Sequence, residues 1–232
     1  MARTILLIGG NSGIGLSTVK RLQAKGDKLI VASRSNEQLT ALGIPAQPFE
    51  ATNSALSLDL PDSLDGVVYC PGTINLKPFN RLKEADFLAD LQVNLLGAIR
   101  VLQLAFPALK KSSSPSVVLF STVAVKVGMP YHASVAASKG AVEGLTRSLA
   151  AEWAPQVRVN ALAPALTDTP LASSLLADEK RREAATERHP LKQIGAPEQF
   201  AELTDYLLSD AAKFTTGQIF RPDGGLSSVR LF

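Results

Sequence analysis

Four glycines near the start of the chain have the spacing of a phosphate-binding loop. Gly9, Gly10, Gly13 and Gly15 follow the apolar, β-branched-rich run 4–8 and precede residues with helical apolar spacing. Glycine lets the backbone turn tightly and lets an anion approach without a Cβ in the way. The N-terminus of the following helix adds unpaired N–H groups and the positive end of the helix dipole. Two glycines would indicate an ordinary strand–helix turn, whereas four in this context predict a dinucleotide site.

Strand and helix patterns alternate along the chain, and the predicted elements must hold that loop in place. The predicted strands cover 4–8, 28–32, 47–51, 65–70, 116–123, 156–161 and 217–221. The predicted helices cover 13–25, 36–42, 82–111 (broken in two), 133–153 and 197–209, and an exposed helical segment covers 171–190. This alternation predicts one α/β domain over residues 1–232, with a doubly wound parallel sheet and helices on both faces. Ligands in such a sheet bind at the carboxyl ends of the strands.

The composition excludes several classes of function. Of the 232 residues, 46% are hydrophobic, which is enough for a full core, and the formal net charge is only +3. Basic residues are scattered, so we expect no nucleic-acid partner and no membrane binding. The single cysteine, Cys70, excludes an internal disulfide, and only two histidines argue against a metal site. Because no apolar run reaches the length of a membrane span and the N-terminus enters a strand at once, we expect a cytoplasmic protein without a signal peptide.

Further motifs follow the glycine loop. The loop, Ile8–Gly15, matches the pattern Thr-Gly-x-x-x-Gly-x-Gly with Ile8 in place of Thr. The other motifs are Tyr69–Gly72, Val93–Leu95, Arg158–Pro164, Thr169–Pro170, Gly217–Gln218 and Asp223–Gly225. In their order and spacing, the chain resembles the short-chain dehydrogenase/reductase family along nearly its whole length. The resemblance implies a Rossmann-like fold, a nicotinamide cofactor, oxidoreductase activity on a small molecule, and a homodimer or homotetramer.

The resemblance also implies which residues hold the cofactor. They are Gly9, Asn11, Ser12, Gly13, Ile14, Gly15, Ser33, Arg34, Glu50, Ala51, Gly72, Asn94, Lys139, Pro164 and Thr169. An NAD site usually has a carboxylate at the end of the second strand, but here no acidic residue occurs there before Glu37. Ser33 and Arg34 could instead bind a 2′-phosphate, which Arg contacts in a bidentate manner. We therefore predict NADP rather than NAD; the alternative is that Arg34 stacks on adenine or lies in solvent.

The catalytic centre departs from the family pattern. The family uses Tyr-x-x-x-Lys on the helix after the fifth strand; Lys139 matches, but Val135 occupies the tyrosine position. Thr122 occupies the position of the catalytic serine, and Asn94 matches the family's mid-helix asparagine. Hydride transfer to a carbonyl creates an alkoxide that must be protonated. A phenol beside an ammonium can supply that proton near neutral pH, whereas valine cannot.

Two nearby side chains could replace the missing phenol. Tyr131 lies four residues before Val135, so the two share a face about 6 Å apart if the helix already includes residue 131. His132 is a second candidate acid, although it would point about 100° away on a helix. The alternative is that Tyr131 only packs at the start of the helix, near Pro130. The predicted catalytic residues are Lys139, Asn94, Thr122 and Tyr131.

Three functions remain open from the sequence alone. The first is an NADP-dependent oxidoreductase that reduces a carbonyl or oxidises an alcohol with a non-standard proton donor. The second is a dinucleotide-binding protein with impaired catalysis, a sensor or partner subunit, which Val135 beside an intact glycine loop would suit. The third is a C=C reductase of enoyl or dienoyl type. We predict the first, with segment 171–190 as a lid over a substrate that the sequence does not identify.

Overall fold

Seven parallel strands form one sheet in the computed structural model, which describes residues 2–231. The strands are β1 (Thr4–Ile8), β2 (Lys28–Ser33), β3 (Ala46–Pro48), β4 (Gly66–Tyr69), β5 (Ser116–Phe120), β6 (Arg158–Leu162) and β7 (Ile219–Phe220). Their order is β3-β2-β1-β4-β5-β6-β7, and every neighbouring pair is parallel. The strand order therefore reverses between β1 and β4, which is where such sheets bind ligands. The predicted doubly wound sheet is confirmed.

Helices cover both faces of this sheet. They are α1 (Gly13–Ala24), α2 (Glu37–Ala41), α3 (Glu84–Leu91), α4 (Gly97–Leu109), α5 (Ala133–Trp153), α6 (Glu179–Glu187) and α7 (Pro197–Leu208). Successive side chains of a strand point to opposite faces, and β1 shows the result. Ile5 and Leu7 belong to the core cluster that includes residues of α1 and α7. Leu6 and Ile8 belong to the cluster that includes residues of α4 and α5.

The helix between β4 and β5 contains a π-helical turn. The turn, Gln92–Leu96, joins α3 to α4, so the predicted break in this helix is a local change of winding. The whole helix (Glu84–Leu109) has 26 residues and contains an 18-residue stretch with a mean hydropathy of 1.3, so by length and composition alone it could span a membrane. A core helix can satisfy the same criterion. Here Ala98, Val101 and Ala105 are fully buried in the cluster that includes strand residues of the sheet.

The structure corrects several predicted boundaries. β5 ends at Phe120 and not at 123, because the Thr122 side chain accepts a hydrogen bond from Ala124 N–H and turns the chain into a short 3₁₀ helix. β3 has only three residues and β7 only two, so both edge strands are shorter than their sequence patterns. Segment 171–190 is built from a 3₁₀ helix, Pro170–Leu176, followed by α6.

Candidate active site

The glycine loop turns from β1 into α1 with very little space around its backbone. Gly9 and Gly13 have positive φ angles of +83° and +52°, which favour glycine. A Cβ on Gly15 would lie 2.1 Å from the carbonyl oxygen of Gly9, so this position accepts no side chain without a backbone shift. The loop therefore presents a bare backbone at the N-terminus of α1, as an anion site requires.

A cleft of about 670 Å³ begins at this loop and follows the carboxyl ends of the strands. Of the residues predicted to hold a cofactor, those that line it are Gly9, Asn11, Ser12, Gly13, Ile14, Gly15, Ser33, Arg34, Glu50, Ala51, Gly72, Lys139, Pro164 and Thr169. Asn94 lies behind this lining, beside Gly72. The structure thus brings the predicted set together, while the role of each residue stays a prediction.

Asn11 connects the glycine loop to the turn after β2. Its amide donates to Ser35 Oγ at 2.8 Å and to a carboxylate oxygen of Glu37 at 2.9 Å. Its carbonyl oxygen accepts from the N–H of Gln38 at 2.9 Å. The hydrogen bond from its own backbone N–H, and after it the one from Asn11, lower the pKa of Glu37. The Glu37 carboxylate is therefore held at the same end of the cleft as Arg34.

Lys139 lies on the wall of the cleft where β4, β5 and α5 meet. Its side chain is 6% exposed, and Nζ donates a hydrogen bond of 2.8 Å to the carbonyl oxygen of Phe120. Burial lowers the pKa of Lys139 to about 8, and negative charge at Cys70 or Asp90 acts in the opposite direction. Burial raises the pKa of the Cys70 thiol to about 12. The ammonium of Lys139 is therefore close to its titration range near neutral pH.

A chain of buried polar side chains lies next to this lysine. Asn94 Nδ2 donates to Ser138 Oγ and to Thr73 Oγ1, each at 2.9 Å. Thr73 Oγ1 donates in turn to Asp90 Oδ1 at 2.6 Å. The π turn turns Asn94 inward between α3 and α5, where it is 1% exposed. The position of Asn94 behind the cleft therefore has a physical basis in the helix winding.

The structure does not place Tyr131 where a catalytic role needs it. α5 begins at Ala133, so the premise that residue 131 lies on this helix is wrong. Tyr131 has a left-handed φ of 69° and is 58% exposed. His132 does line the cleft, and its Nδ1 lies 2.8 Å from the carbonyl oxygen of Pro130. Val135 and Thr122 both line the cleft, as their positions in the motif imply.

Comparisons with known proteins agree with this geometry. Residues 49–227 match a family model described as enoyl-(acyl carrier protein) reductase. A tropinone reductase homologue from Arabidopsis thaliana is 34% identical over 96% of this chain and 92% of its own length. A 3-oxoacyl-(acyl-carrier-protein) reductase from Thermotoga maritima is 34% identical over 97% of both chains. This chain belongs to the short-chain dehydrogenase/reductase family.

A solved member of the family has the same fold. A short-chain dehydrogenase/reductase from Brucella melitensis, described as a glucose/ribitol dehydrogenase, superposes with a TM-score of 0.89 at 30% identity. The superposition covers 98% of this chain and 97% of that one. The predicted family and its Rossmann-like fold are thereby confirmed. A nicotinamide dinucleotide fits the cleft, because the glycine loop presents the N-terminus of α1 at one end of it and Lys139 lines the same cleft.

Sequence reasoning missed several residues of this short-chain dehydrogenase/reductase site. Thr73 and Asp90 join Asn94 only through the fold, although the four-residue spacing of Asp90 and Asn94 on an otherwise apolar helix face was a usable signal. His189 lines the cleft from the segment after α6. Within residues 2–231, no three His, Cys, Asp or Glu side chains form a group that could hold a metal ion.

Proposed function

We propose that this protein is an NADPH-dependent carbonyl reductase, also able to oxidise the alcohol, in which Lys139 supplies the proton. The observation that carries the proposal is the cleft that joins the glycine loop to Lys139 with Val135 in its wall. The loop suits a pyrophosphate, and the lysine offers the acidic proton that valine lacks. The relatives support reduction of an oxo group, since one of them is named a 3-oxoacyl-(acyl-carrier-protein) reductase.

Lys139 suits the role of general acid because its pKa is about 8. An acid works best when its pKa lies near the operating pH, and at pH 7 about nine tenths of such a lysine is protonated. Valine at position 135 puts no phenol between Nζ and a substrate, and Val135 is itself 5% exposed in the cleft wall. The ammonium can then reach the substrate directly.

The reaction is balanced by one hydride and one proton. When bound along the glycine loop, NADPH would supply the hydride that the carbonyl carbon takes up. Lys139 Nζ gives its proton to the carbonyl oxygen, and the neutral lysine takes up another proton from solvent after the alcohol leaves. Phe120 accepts one N–H of Lys139 and so holds the ammonium in place. Thr122, in the same wall, orients the carbonyl oxygen by its hydroxyl.

The turn after β2 favours NADPH over NADH. Ser33, Arg34 and Ser35 line the cleft where the adenosine ribose would lie, and a guanidinium can bind a 2′-phosphate by two parallel hydrogen bonds. Glu37 opposes this preference, since its carboxylate hydrogen-bonds to Asn11 nearby. We propose that Arg34 outweighs Glu37 because the 2′-phosphate can contact the guanidinium directly.

A second candidate function is supported by Val135. If no group in the cleft protonates the substrate, the protein binds a dinucleotide without turning it over and acts as a sensor or partner subunit. A third outcome is reduction of a conjugated C=C bond, which the description of the matching family model keeps open. The three differ in what they consume: a ketone, nothing, or an enoyl thioester.

The substrate lies between the cofactor site and segment 171–190, which we propose as its lid. Leu171, Leu175 and Leu226 line this part of the cleft, so the substrate has an apolar body.

We also propose a cytoplasmic homodimer or homotetramer. Gly144 lies on the outer face of α5 with nothing within 4 Å of its Cβ position, and Gly140 is nearly as open, which permits close approach of another helix.

Turnover in the wild type and in Lys139→Met tests the proposed function. NADPH oxidation is followed with a panel of ketones, with enoyl thioesters as a second panel, and cofactor binding is measured by calorimetry. We expect ketone-dependent oxidation in the wild type, loss of at least a hundredfold in Lys139→Met, and NADPH binding in both proteins. Binding without turnover of either panel would establish the second candidate, and turnover retained in Lys139→Met would refute lysine as the acid.

A further inference from the structure

Asp90 is a buried carboxylate that the proposed reaction does not yet use. It is 2% exposed on α3, and in residues 2–231 it has no cationic partner within salt-bridge distance. Oδ1 accepts from Thr73, whereas Oδ2 is buried without a hydrogen-bond donor from the described chain. Burying an ionised carboxylate costs several kcal/mol unless a nearby charge compensates for it. Asp90 therefore has no compensating charge in direct contact among the described residues.

Lys139, on the other side of Gly72, is a buried positive charge that likewise has no oppositely charged partner in direct contact among the described residues. Its ammonium is buried and donates to a neutral carbonyl group, with no carboxylate of the described residues in direct contact. A Cβ on Gly72 would lie 3.3 Å from Lys139 Nζ and 3.5 Å from Asn94 Oδ1. Thr73, the next residue, hydrogen-bonds to both Asn94 and Asp90. Thr73 and Asn94 thus form a polar wall between the two opposite charges.

The other titratable groups around Lys139 do not supply this compensation. Cys70, at the end of β4, carries no charge at neutral pH because burial raises the pKa of its thiol to about 12. Glu143, one turn along α5, accepts from Ser121 Oγ at 3.0 Å and forms an ion pair with Arg221 at 2.9 Å. Asp90 is therefore the acidic side chain whose charge acts on the lysine.

We propose that Asp90 is a positioning residue of this active site, which keeps Lys139 protonated by its charge and fixes the hydroxyl of Thr73 in the cleft wall by its hydrogen bond. The part that concerns proton delivery rests on the proposed function, whereas the electrostatic coupling of Asp90 to Lys139 does not. Asp90 thus acts on the proton donor of this site from the opposite side of Gly72, where the family pattern would have a tyrosine beside the lysine.

Asp90→Asn removes the negative charge but keeps the shape of the side chain, and its amide oxygen can still accept the hydrogen bond from Thr73. The titration of Lys139 is measured by NMR of its side-chain carbons in the cofactor-free protein, with the signal assigned by its loss in Lys139→Met. We expect the midpoint to fall by about one pH unit in Asp90→Asn, because the negative charge of Asp90 raises the pKa of Lys139 and the amide does not. Glu84→Gln, an exposed charge on the same helix, is the matched control and should leave the midpoint unchanged.

A second readout follows kcat/KM for ketone reduction against pH. The alkaline limb should move to lower pH by the same amount in Asp90→Asn. Thr73→Val removes the hydroxyl but keeps the charge, so it should raise KM and leave the alkaline limb in place. Asp90→Ser replaces Asp90→Asn if the latter does not fold.

The outcomes distinguish this inference from the proposed function. An unchanged Lys139 midpoint in both Asp90→Asn and Asp90→Ser would overturn the coupling, whatever the activity. A lowered Lys139 midpoint in Asp90→Asn would support the coupling. If the wild-type rate of reduction did not change with pH across the Lys139 titration, lysine would be refuted as the acid. A lowered midpoint with an unmoved alkaline limb in Asp90→Asn would likewise overturn the claim that Asp90 controls proton delivery.

Discussion

The proton role of Lys139 predicts a pH dependence whose size follows from its burial. With a pKa of about 8, the ammonium is the main form at pH 7 and a minor form at pH 9. Reduction needs the protonated lysine, so kcat/KM for a ketone should fall about tenfold between pH 7 and pH 9. Alcohol oxidation needs the neutral amine and should rise over the same range. A tyrosine acid, with an ordinary pKa near 10, would keep reduction nearly constant to pH 9.

The same burial predicts an effect on stability. Lowering the lysine pKa from 10.5 to about 8 corresponds to about 3 kcal/mol against the folded state at neutral pH. The folded value is the lower one, so the unfolded chain binds more protons between pH 8 and 10.5, and this group makes the free energy of unfolding rise with pH across that window. Lys139→Met removes the buried ammonium, so we expect an unfolding free energy up to about 3 kcal/mol higher at pH 7.

Two assays check these numbers. NADPH absorbance is followed from pH 6 to 10 at constant ionic strength, and urea unfolding of the wild type and Lys139→Met is compared at pH 7 and pH 9. The reasoning fails if reduction stays constant through pH 9, because an acid with this pKa cannot give a flat profile. It also fails if Lys139→Met is less stable than the wild type at pH 7, because the ammonium would then be stabilising and not buried at a cost.

Four further substitutions test the cofactor site and the missing phenol. Gly15→Ala places a Cβ 2.1 Å from the carbonyl oxygen of Gly9, so NADPH affinity measured by calorimetry should fall by more than tenfold, that is, by more than about 1.4 kcal/mol; unchanged affinity would exclude this loop as the phosphate site. Arg34→Ala should weaken NADPH about tenfold with little change for NADH, because the proposed contact of the guanidinium is with the 2′-phosphate, which NADH lacks. Glu37→Gln should strengthen NADPH a few-fold by removing an exposed negative charge; equal responses of both cofactors in these two variants would contradict the predicted preference. Val135→Tyr puts a phenol beside Lys139, so ketone reduction at neutral pH should rise at least tenfold; a slower variant that still binds NADPH would show that the cleft has no room for the phenol.

The fold was predictable because its signals are local. The apolar run of β1, the four glycines and the helical spacing of α1 are adjacent in sequence, and strand–helix alternation is enough to specify a parallel sheet. The predictions were wrong where residues are buried but do not belong to a strand. Residues 121–123 are partly or fully buried and read as strand, but the Thr122 side chain turns the chain away from the sheet.

The site was predictable only where one motif supplies it. Val135 and Lys139 share one helix, so their spacing fixed their placement. Tyr131 failed because its left-handed backbone ends the turn before α5, which residue spacing does not reveal. Asp90 was missed because its partner Thr73 lies 17 positions away in the chain and is brought close only by the packing of α3 beside the loop after β4.

The π turn between α3 and α4 limits how the length of this segment can vary. It accommodates one residue more than an α-helical turn, which lets Asn94 face inward while the residues on either side keep their apolar faces toward the core. Deleting or inserting one residue between 84 and 109 would rotate one half of the helix against the other by about 100°. Asn94 would then leave the polar wall, or the apolar face would turn to solvent. This segment should therefore tolerate exchange of many residue types and yet resist any change in their number.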